Sequence, residues 1–322
     1  MKKFVFLILF TPLYSFAQKE KIINEIDINK VASFTLKLEG FPDFLVADGN
    51  DVWITNQKRI DKLSINNKKP ILSVAMSSPC GAMSVAFGAL WVANCDNKSI
   101  YKIDNKTGHI IAIIKTGLAE ENGELSIAAG AGSIWVLTDS SGILTRIDPI
   151  KNRVQANIKV LPFSYCAAFG YNSVWVTNTG NSKNISGGEK GGFVQRINPT
   201  TNQVVATIPT GIAPHFLAVG EKAVWTLNQF DGTVSKIDPL TNHLISNIKT
   251  NVSGSGGDIA VGAGRVWVRG SKTAFLVTIN TTTNSIAENY GPVSGSGAVR
   301  VTENNNVWIS AHDINTIWVL KK

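Results

Sequence analysis

Short apolar runs, rich in β-branched residues, follow one another along the chain with Gly, Asn, Asp and Pro between them. Runs this short, bounded by turn residues, predict strands, and no convincing helix-period segment interrupts them. The best-formed quartet is HFLAVG, AVWTLN, TVSKIDP and HLISNIKT, between His215 and Thr250. Its second run recurs as DVWITN at Trp53, ALWVAN at Trp91, SIWVLT at Trp135, SVWVTN at Trp175, RVWVRG at Trp267 and NVWISA at Trp308. A repeat of about 40 residues carrying four strands is the pattern of a β-propeller, whose units bury their faces only by stacking around a ring. Seven copies predict an all-β, seven-bladed β-propeller with four antiparallel strands per blade.

The last residues, NTIWVLKK, align with the third strand of a unit, so the fourth must come from elsewhere. Near the other end, NKVASFTLKLEG parallels NQVVATIPTG. Residues 31–38 are therefore expected to supply the outer strand of the C-terminal blade, closing the ring and removing a free sheet edge. The expectation is one propeller domain over 31–322, a lead-in over 18–30 and a signal peptide over 1–17.

The signal peptide is read from MKKFVFLILFTPLYSFAQ: two lysines, an apolar core and a small-residue end at Ser15-Phe16-Ala17, with cleavage expected after Ala17. The core falls short of the roughly 20 residues of a membrane span. No cysteine follows the cut, which argues against a lipid anchor. A secreted or periplasmic monomer without a membrane span is expected. The formal charge of +8 includes Lys2 and Lys3, and the other lysines are scattered. Such a distribution reads as solvated surface, so nucleic acid is not an expected partner.

The aligned units follow Φ-A-V-G, then Φ-W-V-x-N, then K/R-I-D-P-x-T-N. RIDPIKNRVQANIKV, RINPTTNQVVATIPTG and KIDPLTNHLISNIKT carry this most clearly. The pattern resembles YVTN-type and streptogramin lyase-like propellers over essentially the whole chain after residue 17. The resemblance implies the fold; the scaffold hosts enzymes, binding modules and surface proteins alike. For the lyase-like members it also implies a proton-abstracting histidine at the mouth of an inner strand, a second histidine on the next blade, and acidic residues holding magnesium. Pro214-His215-Phe216-Leu217 fits the first feature. The next blade offers Gly257 and Asp258 rather than histidine, and Asn228 and Arg269 stand near where glutamates are expected. His312, two blades on, is the available substitute.

In a propeller, the start of the inner strand and the end of the second lie on one face, where loops carry function. Ten residues before each tryptophan stand Asp43, Gly81, Leu125, Tyr165, His215, Gly257 and Ala298; one earlier lie Cys80 and Glu124. Four residues after stand Gln57, Cys95, Asp139, Thr179, Gln229, Ser271 and His312. From this ring, His215 and His312 are the catalytic candidates, and Asp43, Tyr165, Asn228, Gln229 and Arg269 the ligand-binding ones. A neutral imidazole can accept a proton near pH 7. Equally, His215 can be a polar residue satisfied by neighbouring backbone. The glycine-rich SGSGGD and SGSGA stretches either open a pocket beside His215 or make tight turns, and the insertion at 179–193 is either a lid or a tolerated surface loop. His109 and His243 fall in turns on the opposite face.

Cys80 and Cys95 are equidistant from the turn at Phe87-Gly88, so a two-residue turn would set them opposite each other; a disulfide is expected in an exported chain. Cys166 is expected to be a buried, inert thiol. No cysteine or histidine spacing supports structural zinc.

Two functions remain open. One is an exported propeller that binds a small molecule, peptide, glycan or protein at the funnel face, with no chemistry and no cofactor required. The other is a streptogramin lyase-like enzyme cleaving a C–O bond, with His215 as general base and magnesium or Arg269 stabilising the developing anion.

Overall fold

A computed structural model describes residues 23–116, 126–137, 141–180 and 191–322. The expected signal peptide and its cleavage point, Glu124, Leu125, Asp139, and all of the 179–193 insertion except its two ends lie outside the described residues.

The burial of each strand follows from its radial place. The tryptophan-bearing strands Ala89–Asn94, Ser173–Asn178, Ala223–Asn228 and Asn306–Ala311 are buried at every residue, because neighbouring sheets cover both faces. The outermost strands Arg153–Lys159, Gln203–Thr210 and Leu244–Lys249 show the period-two alternation of a half-covered strand. All seven repeat tryptophans are fully buried.

The strands pair antiparallel within each repeat and stack into a propeller. Among the described residues they form six hydrogen-bonded sheets rather than seven separate ones. The Trp91 and Trp135 repeats merge into one eight-stranded sheet because their inner strands, Pro79–Ala86 and Ser126–Gly130, approach closely enough for a single parallel bridge, Ser126 to Ala82.

One device ties successive repeats together. In five of them a Lys or Arg on the third strand lies opposite the tryptophan and over its ring: Lys62 on Trp53, Lys102 on Trp91, Arg146 on Trp135, Arg196 on Trp175 and Lys236 on Trp225. The same cation then reaches a turn of the next repeat. Arg196 donates to Pro239 O and Asn242 Oδ1, and Lys236 donates to Thr281 O and Asn284 Oδ1. The K/R and the final N of K/R-I-D-P-x-T-N are thus the two halves of an inter-repeat clasp.

The clasp lapses where the ring closes, since Thr278 and Val319 stand opposite Trp267 and Trp308. Other contacts take over. Phe34–Lys37 pairs antiparallel with Thr316–Lys321 as the outer strand of the last sheet. The strand is shorter than the expected 31–38, because Ile28–Val31 is a helical turn capped by Asp27. Part of the expected lead-in joins the sheets: Glu25–Asp27 adds in parallel to the edge strand Ser285–Gly291. Lys322 covers Trp267 and pairs with Glu288.

In the last repeat the inner hairpin turns through residues 302–306, and Arg300 lies opposite Trp308. In the Trp225 repeat, Ala218 lies opposite the tryptophan across a tighter turn. Counting back from Trp308 is therefore off by one, and Gly297, not Ala298, is the position equivalent to His215.

Candidate functional site at the channel mouth

Tyr165 and His215 occupy equivalent positions in adjacent repeats, and both sit in β-bulges. Register slips between Ser164 and Ala167, and again between Pro214 and Phe216, leaving each residue out of the ladder. A bulge re-aims a side chain at a strand end. Here the two rings meet edge-on, with centroids 4.7 Å apart, and Phe216 also meets Tyr165 edge-on at 5.6 Å. Thr177 Oγ1 donates to the His215 carbonyl at 3.0 Å, fixing the backbone of one repeat to the other.

His215 Nδ1 lies 3.2 Å from Ala213 O. A carbonyl can only accept, so Nδ1 carries the proton and Nε2 is left with its lone pair. Burial holds the imidazole below its ordinary range, against the opposing pull of the Ala213 carbonyl. Near pH 7 the residue is a neutral hydrogen-bond acceptor.

The other candidates fall into a different part of the ring or into the scaffold. Arg269 is fully buried: Nε donates to Ser310 O at 3.3 Å, Nη1 to Gly270 O and Phe275 O, and the guanidinium stacks on Phe275. Desolvation pushes its pKa down to about 9, opposed by Asp313, Asp43 and Asp258. Its place is a joint between strands rather than a surface contact. Asn228 is likewise internal, donating to Thr233 and Ser235 and accepting from Thr226. Asn56, Asn94 and Asn178 occupy the equivalent positions and are also buried, so this asparagine is a repeated corner of the scaffold. Gln229 is buried and donates to Gly256 O at 2.8 Å, which ties the glycine-rich stretch to the neighbouring repeat.

His312 begins a short 3₁₀ turn, stacked on Phe41 with centroids 4.0 Å apart. Its Nδ1 lies 2.8 Å from Asp313 Oδ1 without hydrogen-bond alignment. Desolvation lowers its pKa, and Asp313 pulls the other way. Phe41 and half-buried Asp43 line a cavity of about 270 Å³ with Gln57, Pro79 and Cys80. Beside it Cys80 and Cys95 form a disulfide, with Cα atoms 6.0 Å apart. The two are not directly opposite: Cys80 faces Ala93, because residues 81–83 bulge. Cys166 is free and buried.

Among the described residues no group of three or more His, Cys, Asp or Glu is placed to hold a metal ion. Asp258, at the mouth of the repeat after His215, has its carboxylate taken up by Ile259 N, Val299 N and Arg300. The described residues therefore do not fit a magnesium ion.

Neither a family model nor a curated protein sequence matches the chain. Solved structures do. Virginiamycin B lyase from Staphylococcus aureus superposes with a TM-score of 0.70 at 16% identity, covering 89% of this chain and 98% of that one. A streptogramin B lyase structure gives 0.71 at 16%, covering 90% and 95%. Hydrazine synthase from Kuenenia stuttgartiensis gives 0.71 at 13%, covering 88% and 96%. The fold is a β-propeller. At these identities the likeness extends to fold alone.

Sequence reasoning missed Arg300 and the role of the clasp cations. Arg300 was hidden by the longer hairpin turn, which a count of the VTENNNVW turn against VGEKAVW would have exposed. The clasp cations stood in the repeat pattern, but their role depends on the neighbouring repeat.

Proposed function

We propose that the chain is an exported seven-bladed propeller, each half of the eight-stranded sheet counting as a blade, that binds a ligand at the channel mouth without chemistry. The observation that carries this is the bulged pair Tyr165 and His215, which offers an aromatic ring and a neutral acceptor side by side. An apolar face with one placed polar atom suits a peptide, glycan or protein side chain. Asp43 belongs to a second contact zone beside Phe41 and Gln57. No cofactor is needed for such binding, and a monomer suffices.

A lyase with His215 as general base is the second reading, favoured by the same fixed tautomer, which leaves Nε2 free to take a proton. Its likeness in fold to virginiamycin B lyase adds support. A thermal-shift screen against cyclic peptides, glycans and divalent metals tests both. Binding predicts a ligand-induced shift that His215→Ala and Tyr165→Ala both abolish. A shift unaffected by either variant, or no shift at all, rejects the mouth as the site. Turnover of a cyclic depsipeptide that is lost in His215→Ala would replace binding by catalysis.

A further inference from the structure

We infer that the central channel is a second binding site, for a small monocarboxylate with an apolar tail, held by the free edge of Arg300. At the level facing the buried tryptophans the inner strands carry Val46, Ser84, Ala128, Ala168, Ala218 and Ala260. In the last repeat the longer hairpin turn puts Arg300 at that level. Small residues around the ring leave a cavity of about 300 Å³, with Phe44 and Phe216 in its wall and Arg300 in its lining. That is the lower end of small-molecule pocket volumes.

The arginine is held by one edge only. Nη1 donates to Asp258 and, at 2.6 Å, to Val299 O. Among the described residues Nε and Nη2 donate to no protein atom, and the side chain is 24% exposed. Asp258 is fully engaged: Ile259 N donates to Oδ1 at 2.8 Å, and Val299 N at 3.1 Å and Arg300 donate to Oδ2. The pair thus presents donors to the channel, not acceptors. The Nε–Nη2 edge is the fork that matches a carboxylate with two parallel hydrogen bonds. Asp258 already orders the arginine, so little side-chain freedom is lost on binding. Phe44 and Phe216 in the lining give a tail of a few carbons an apolar contact that a bare inorganic anion cannot use.

Butyrate is the probe, titrated calorimetrically into the protein at constant ionic strength, beside acetate, 1-butanol and chloride. Butyrate is expected to bind at one site, with acetate roughly tenfold weaker from the loss of two methylenes. Butanol and chloride should show no binding. Ala218→Leu, which adds bulk to the channel lining and replaces neither partner of the ion pair, should abolish the heat. Arg300→Met combined with Asp258→Asn should do the same while leaving no lone buried charge. His215→Ala should leave butyrate binding unchanged, which separates this site from the mouth. The Arg300 Nε–H resonance should move as butyrate is added, a readout that needs no variant. The proposal is overturned if butyrate gives neither heat nor a moved Arg300 resonance, if binding survives the double variant, or if butanol binds as tightly as butyrate.

Discussion

Arg146 stands over Trp135 with its guanidinium carbon 4.7 Å from the ring, and from there it donates to Pro199 O and Asn202 Oδ1 of the next repeat. The tryptophan orients a cation that would otherwise be a long, mobile side chain. The cation in turn satisfies a turn carbonyl that the neighbouring repeat leaves unpaired. Packing within one unit and attachment to the next therefore depend on the same pair of residues.

Removing one clasp should loosen one joint of the ring. Arg196→Met keeps cover over Trp175 but loses three hydrogen bonds, including the one to Ser173 Oγ. The expected cost is about 2–3 kcal/mol, given the modest net worth of each charged hydrogen bond. Arg196→Lys should cost less than about 1 kcal/mol, because Lys236 makes the equivalent pair of contacts in its own repeat. Urea denaturation of the two variants checks this; equal midpoints for Met and wild type would mean the clasp contributes nothing to stability.

Stability should also report the two half-buried imidazoles. Burial holds His215 and His312 below the ordinary range. Their folded-state pKa values are depressed, so above the unfolded value near 6.5 they carry no protonation penalty. As pH falls below about 6.5, the unfolded chain takes up protons that the folded one resists, and stability declines toward the folded values. The melting temperature should therefore drop between about pH 7 and pH 5, and His215→Gln with His312→Gln should flatten that slope. A double variant with the wild-type slope would place the proton uptake elsewhere.

The three cysteines give a simple chemical signature. Cys80 and Cys95 are joined across a separation of 15 residues, and Cys166 is buried and free. A thiol reagent should find no reactive group in the native protein and one per chain after denaturation without reductant. Replacing both bridged cysteines by serine should cost about 3 kcal/mol from the lost constraint on the unfolded loop. Two or more thiols in the denatured, unreduced chain would show that the bridge does not form.

The tryptophan period made the scaffold legible because each repeat must bury the same central strand. The mouth was harder to read. Arg269 sits in RVWVR, where alternation suggests a residue with one open face, yet neighbouring sheets cover both sides of that strand and Arg269 has no exposure at all. Asn228 misled for a related reason: a polar residue at a strand end was a candidate contact until its three equivalents, Asn56, Asn94 and Asn178, proved to be buried corners too. Tyr165 and His215 stand at the same count from their tryptophans, but the bulges that turn them together are one-residue register slips that composition does not encode. Arg300 was lost for a different reason, one extra residue in the hairpin turn of the Trp308 repeat.

The parallel strand Glu25–Asp27 has a practical consequence for handling the molecule. It lies on the outermost edge, against Asn289–Gly291, while Tyr165 and His215 lie at the innermost strands of other repeats. A bead, tag or fluorophore joined just upstream of Glu25 therefore hangs at the perimeter of the ring. The protein can be immobilised by that side for surface-binding measurements with the channel mouth left clear.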